Sequence, residues 1–194
     1  PFQIIFKELI SNYLNLGEYG STLISKHIIV FVIFFISGLF FYSICNVLFK
    51  DKKFSIISLF IFYLYPYLFG HAHFNPKDIP FLSFWIINTY FLLKTFKNFE
   101  KERLINFKTI FYFALSTAFL ISIRIVGILI FLQYLIFFIV YFESYKKNVL
   151  NFIKLHKSNI IYFILLTLFF TFLMNPIFWH NPLEIINSLK WMSK

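Results

Sequence analysis

The sequence predicts an all-α fold, a polytopic transmembrane helical bundle of about six spans. Three observations predict it. Hydrophobic residues make up 60% of the 194 and charged residues only 13%, with a mean hydropathy of +0.78; a water-soluble chain of this length cannot hide that much apolar surface. The apolar residues come in runs of the length needed to cross a hydrocarbon core of about 30 Å. The basic residues behind the net charge of +10 gather in short stretches between those runs. That is a topology signal and not a nucleic-acid-binding face, so membrane lipid is an expected partner and nucleic acid is not.

The elements follow in order. In residues 1–27, Phe2, Ile5, Phe6, Leu9 and Ile10 keep helical spacing, which predicts a segment lying along the membrane interface. The chain opens Pro1-Phe2-Gln3 without an initiator Met or a signal-peptide pattern, and it is expected to be an internal piece of a longer polytopic protein. Ile28 to Phe49 is a span of ordinary length. Its Cys45 is the one cysteine of the chain, so no intrachain disulfide forms and a small core residue is expected. Phe54 to Phe69 is a short span with Pro66 near its end. Phe81 to Leu93 is shorter still and is expected to extend into its polar flanks. Thr109 to Phe142 is too long for one crossing at 1.5 Å per residue. Arg124 and Gly127 break it, which predicts two helices joined by a tight turn from Ser122 to Gly127. Asn159 to Met174 is the last span, closed by Asn175-Pro176. Residues 1–194 are thus read as one transmembrane domain, with the spans inside 28–174 and a further polar segment over 175–194.

Charge orients these spans. Lys50, Lys52 and Lys53 fall in one loop; Lys94, Lys97, Lys101, Arg103 and Lys108 in another; Lys146, Lys147, Lys154 and Lys157 in a third. With the long run split in two, all three loops reach the same side, which the positive-inside rule makes cytoplasmic. Residues 1–27, the island Gly70 to Pro80, the Arg124 turn and residues 175–194 then emerge together on the outer face.

The candidate chemistry lies in those outer segments. The island Gly70-His71-Ala72-His73-Phe74-Asn75-Pro76-Lys77-Asp78-Ile79-Pro80 is polar between two apolar runs, and ionisable groups at a bilayer edge commonly mark a site. The bland reading is a solvated loop. Asp78 is a general base, a metal ligand, a partner of Lys77 or Arg124, or simply a carboxylate at a helix start. His71 and His73 in an extended loop supply half of a metal site, so a divalent metal is left open and no metal ligand set is assigned. Arg124, in apolar surroundings, needs an anion such as Asp78 or a ligand phosphate, or else snorkels to lipid headgroups. Trp179 is an interfacial anchor or a surface on which a sugar stacks. No Gly-rich phosphate loop, Cys pair or internal repeat is present.

The order of these motifs resembles bacterial membrane proteins of glycosyltransferase family 39, relatives of the dolichyl-phosphate-mannose–protein mannosyltransferases. The resemblance is carried by Gly70-His71-x-His73-x-Asn75-Pro76-Lys77-Asp78-Ile79-Pro80-Phe81, by Arg124-Ile125-Val126-Gly127, and by Asn175-Pro176-Ile177-Phe178-Trp179-His180-Asn181-Pro182, where Asn175 replaces a Trp. It implies a GT-C fold in the bacterial inner membrane and transfer of a sugar from a polyprenyl-phosphate donor to an acceptor at the outer face. It further implies that Asp78 and Arg124 are catalytic, and that Lys77, His71, His73, Asn75, Trp179 and His180 contact substrate. The family's acidic outer-loop residue, a base or metal ligand, would lie before Pro1. A transporter or channel subunit, or a non-catalytic membrane subunit, is the competing expectation.

Overall fold

The computed structural model describes residues 18–100, 105–145, 149–176 and 179, and every regular element among them is helical. The elements are α1 (Glu18–Phe49), α2 (Lys52–Leu64), α3 (Pro66–Phe74), α4 (Asp78–Glu100), α5 (Phe107–Ile123), a 3-10 turn (Ile125–Leu129), α6 (Ile130–Tyr145) and α7 (Val149–Met174). Four stretches are long and apolar enough to cross a membrane: Tyr19–Phe49, Asp78–Asn98, Ile125–Glu143 and Ile153–Met174. The pair α2 and α3, bent by 55°, makes a fifth if it is one broken span. The expected six spans are therefore reduced to four or five by length. The difference lies in α5, whose 17 residues rise only about 25 Å. The split of the long apolar run stands: α5 ends at Ile123, and α6 follows the 3-10 turn.

Two helices begin well before their apolar runs. α1 starts at Glu18, ten residues before Ile28, so residues 18–27 belong to the helix of the first span; residues 1–17, with the apolar positions that predict an interfacial segment, lie outside the described ones. Ser25 makes this polar start compatible with a helix by donating its hydroxyl back to the Ser21 carbonyl at 2.8 Å. α7 likewise starts at Val149, so Lys154 and Lys157 sit on a helix and not in a loop.

The residues group into two compact units, Pro1–Ile86 and Ile87–Lys194, whose boundary falls inside α4. In the first unit α1 packs against α2 and α3. Lys50, with φ of 55°, turns the chain out of α1 through the left-handed region. Asp51 then caps α2, its carboxylate accepting from the Lys53 N–H at 2.7 Å. This two-residue link brings the helices back antiparallel. Phe62 stacks between Phe34 and Phe41, at 5.0 and 4.9 Å between ring centroids. Val30, Ala72 and Ile79 complete this core. Cys45 is buried in α1, as expected of a small core residue.

In the second unit α5 packs along α7. Ala114 and Ala118 are fully buried on α5, and such small residues let helices approach closely. Phe113 stacks on Phe163 at 4.7 Å. A polar network joins α4, α5 and α6. Asn88, fully buried, donates to Ser116 Oγ at 3.1 Å and to Thr117 Oγ1 at 2.8 Å, and accepts from the Tyr134 hydroxyl at 2.7 Å.

Gly38 is the tightest point of the α1–α2 contact. The Tyr63 ring lies against it, stacked on Phe35 at 4.6 Å, and its hydroxyl donates to the Phe35 carbonyl at 2.6 Å. A Cβ at Gly38 overlaps that ring. Gly38→Ala is expected to push Tyr63 off the Phe35 carbonyl and destabilise the protein by about 1–3 kcal/mol, the usual range for overpacking. The check is the thermal transition of purified protein in detergent beside Ser43→Ala, a half-buried α1 position whose hydroxyl bonds only within its own helix, expected to stay within about 0.5 kcal/mol.

Candidate functional site

The polar island is not an extended loop. Pro66 occupies the first position of α3, where its missing N–H is harmless, and it forces Tyr65 into extended backbone. That breaks α2 from α3. The Phe69 N–H then bonds to the Tyr65 carbonyl at 3.0 Å, and the helix continues through His71 and His73 to Phe74. On a helix, residues two apart face away from each other. The His71 ring packs against Tyr67 at 4.3 Å and Phe74 at 4.9 Å. The His73 ring packs against Phe31 at 5.0 Å, and its Nδ1 lies 2.8 Å from the Phe69 carbonyl. The two histidines therefore stand on a helix and not in the extended loop read from sequence. No cluster of three or more His, Cys, Asp or Glu side chains occurs among the described residues.

Asn75 organises the rest of the island. Its N–H closes α3 on the His71 carbonyl at 2.9 Å. Its side-chain Oδ1 accepts from the backbone N–H of Asp78 at 2.9 Å and of Lys77 at 3.2 Å, the pattern of a residue capping the start of α4. Its Nδ2 donates to Asp78 Oδ2 at 2.9 Å and lies 3.2 Å from His71 Nδ1. The arrangement resembles a capping box, with a carboxylate three residues after the cap residue reaching back to it. The cap is thus Asn75, and not Asp78, for which a helix-start role was one of the readings. Asp78 is solvent-accessible, its carboxylate oriented by the Asn75 amide and placed at the positive end of α4. Lys77 is exposed beside it.

Arg124 lies in the second unit, at the break between α5 and the 3-10 turn. Its backbone is extended, at φ −146° and ψ 135°, and its side chain is exposed. Its N–H bonds to the Leu120 carbonyl at 3.2 Å, and its own carbonyl accepts from the Gly127 N–H at 2.8 Å. Gly127 is buried with the end of α5 against its Cα, where any Cβ would overlap the Leu120 carbonyl. This close approach is why the turn takes glycine.

The end of α7 meets the end of α5 at the same place. Asn175 Nδ2 donates to Ser122 Oγ at 2.8 Å, two residues from Arg124, and also to the Thr171 carbonyl at 2.8 Å. The Trp179 indole N–H donates to the Phe172 carbonyl at 2.8 Å, leaving about half of the residue exposed. Two of the three polar segments expected to converge, the Arg124 turn and the start of 175–182, are therefore neighbours within one unit. His180 lies outside the described residues.

The network of Asn88, Ser116, Thr117 and Tyr134 was not singled out from sequence. The signal was there: an amide, two hydroxyls and a phenol inside apolar runs, where an unsatisfied polar group is costly. Matches were sought among protein family models, curated proteins and solved structures, and none was found.

The Asn75 geometry makes a direct prediction. Asn75→Ala removes the acceptor for two N–H groups and the donor to Asp78, and is expected to cost about 1 kcal/mol, within the 0.5–2 range for lost caps. Asn75→Ser restores the cap without the amide donor and should recover most of that loss. Thermal unfolding of the three proteins in one detergent checks it, and equal stability of Ala and Ser variants would remove the capping role.

Proposed function

We propose that this chain is part of a membrane glycosyltransferase that moves a sugar from a polyprenyl-phosphate donor to an acceptor at the outer face of a bacterial inner membrane. The observation that carries the reading is the Asn75–Asp78 unit, an accessible carboxylate oriented by an amide at a helix start, within a motif resembling that of family 39. The GT-C-like architecture belongs to the same proposal. It has six crossings, counting the four long helices, the bent pair α2–α3 and the short α5. That count puts Lys52 and Lys97 on the cytoplasmic side and the island and Arg124 on the outer side.

In the proposed reaction an acceptor hydroxyl oxygen bonds to the anomeric carbon as the bond from that carbon to the phosphate oxygen breaks. The carrier phosphate leaves with the electron pair. Arg124, with its planar fork of donors, stabilises the charge developing on that phosphate, and Lys77 is the second cation proposed for it. Asp78 receives the acceptor proton or holds the donor sugar, and His71, His73, Trp179 and His180 contact its hydroxyls or ring. A transporter or channel subunit is the second reading. One observation favours it: the proline-broken pair α2–α3, since interrupted helices line binding sites in many transporters.

Two predictions separate these. Single cysteines at positions 52 and 97, in a Cys45→Ser background, should resist a membrane-impermeant thiol reagent in intact cells, while cysteines at 73 and 124 should react. Labelling at 97 with protection at 73 reverses the orientation.

The second is read on the complete protein, with a polyprenyl-phosphate sugar as donor. Asp78→Asn keeps an acceptor for the Asn75 amide and should leave the thermal transition within about 1 kcal/mol, yet lose most sugar transfer. Arg124→Ala should lower the rate on the order of 10²-fold, and Arg124→Lys less. Full activity in both folded variants would remove the transferase reading of these residues.

A further inference from the structure

α7 presents two different faces. His156, Asn159, Ile160 and Phe163 turn inward and, with Phe113 and Tyr134, are among the residues lining an apolar cavity of about 270 Å³ in the second unit. Among the described residues no lysine lines that cavity. The outward face carries a separate surface depression of about 410 Å³, lined by Lys154, Leu155, Lys157, Ser158, Ile161 and Tyr162. Lys154, Lys157, Ser158, Ile161 and Tyr162 follow one another at spacings of three, four, seven and eight from the first, so they stack turn over turn on one side of the helix. None of the described lining residues is acidic.

The depression stands at a defined depth. α7 is long and apolar enough to cross a membrane from Ile153 to Met174, and no charged residue occurs from Ser158 onward in it. Lys157 precedes Ile160, where the apolar run begins, by about 4.5 Å along the axis, and Lys154 by about 9 Å, at 1.5 Å per residue. The head-group layer on each side of a bilayer is about 5–7 Å thick. Both lysines are exposed, and their long side chains reach that layer, where lipid phosphates lie. Helical side chains lean toward the N-terminus, which carries the Tyr162 phenol back toward Ser158. The Tyr162 ring meets Phe107 of α5 edge to face at 6.1 Å, so it has a support on one side. Beyond it the same face continues as Leu165, Leu168 and Phe169, all exposed. The face is therefore graded along its length: two cations, two hydroxyls, then hydrocarbon. A phospholipid has the same order, with an anionic phosphate, polar ester groups and an acyl chain.

We infer that this outward face of α7 binds one anionic phospholipid, whose phosphate is held in the depression by Lys154 and Lys157 and whose chain lies along Ile161, Leu165 and Leu168. The inference rests on α7 crossing a membrane and stands apart from the chemistry proposed for Asp78 and Arg124. On the orientation proposed above, the lipid belongs to the cytoplasmic leaflet, where anionic lipids supply the negative surface potential.

The test is native mass spectrometry of the full chain, delipidated in detergent and then offered phosphatidylglycerol or phosphatidylcholine with identical chains. Phosphatidylglycerol should be retained, and phosphatidylcholine clearly less. The surface double variant Lys154→Gln, Lys157→Gln should weaken phosphatidylglycerol by about fivefold for each lysine removed. Lys94→Gln, Lys97→Gln removes the same charge from exposed positions of α4 outside the depression and should leave retention essentially unchanged. Equal weakening by the two double variants would mean general attraction to positive charge and overturns the inference, as does equal retention of the two lipids. Inorganic phosphate should fail to displace bound phosphatidylglycerol, and displacement would overturn the chain's part. A protein dimer that forms without lipid and is lost in Lys154→Gln, Lys157→Gln would show that the face seats a second copy, and overturns the inference as well.

Discussion

The fold depends on one constraint, the need to pair every backbone N–H and carbonyl in a chain that has little water around it. Helices meet it along their length. The difficulty is confined to their ends, and the chain has several: at Lys50, Tyr65, Asn75, Asn106 and Arg124. Three are resolved by a side-chain oxygen at the start of the next helix. Asp51 accepts from Lys53, Asn75 from Lys77 and Asp78, and Asn106 from Lys108 at 3.1 Å. Pro66 resolves a fourth by having no N–H to satisfy. At Arg124 no side chain caps the 3-10 turn, and the backbone closes on itself through Leu120 and Gly127.

The same constraint decides where reactive groups can stand. A helix end exposes N–H groups and a partial positive charge, so a carboxylate there is both stabilising and accessible. Asp78 holds that position because Asn75 has already taken the two leading N–H groups. The Arg124 break serves a cation in another way. With the local backbone closed, the guanidinium is not needed as a cap, and Asn175 ties the end of α7 to the same corner through Ser122. The capping bonds thus fall to Asn75, three residues before Asp78, which leaves the carboxylate accessible.

What was legible followed from apolar length and from strong local breakers. The long run had to divide, and Arg124 with Gly127 marked where; Asn175-Pro176 marked a further helix end correctly, whereas Pro66, read as lying inside a span to Phe69, starts a new helix. Helix starts were misplaced wherever polar residues continue an apolar helix. Ser21 and Ser25 at the start of α1, and Lys154 and Lys157 in α7, read as loop by hydropathy, although serines can bond backward and lysines can snorkel. The island was misread for a related reason. His71, His73 and Asn75 have the polarity of a loop, and Gly70 precedes them, but α3 runs through Gly70 without a break to Phe74. The Asn88 network joins residues 17 to 46 positions apart, a pairing that hydropathy does not encode.

That network also bears on the cavity beside it, because Tyr134 belongs to both. Its hydroxyl lies between Asn88 Oδ1 and Thr117 Oγ1, at 2.7 and 2.9 Å, which turns the polar end of the side chain into the helix interface. Rotating it toward the cavity would strip Asn88 of a partner where water cannot replace it, a loss much larger than a hydrogen bond is worth at an exposed site. The phenol is therefore locked, and the cavity keeps the ring and not the hydroxyl. Polar satisfaction between α4, α5 and α6 is what keeps the adjoining wall apolar. Through that lock, a buried set of hydrogen bonds sets the chemical character of a cavity it does not enter.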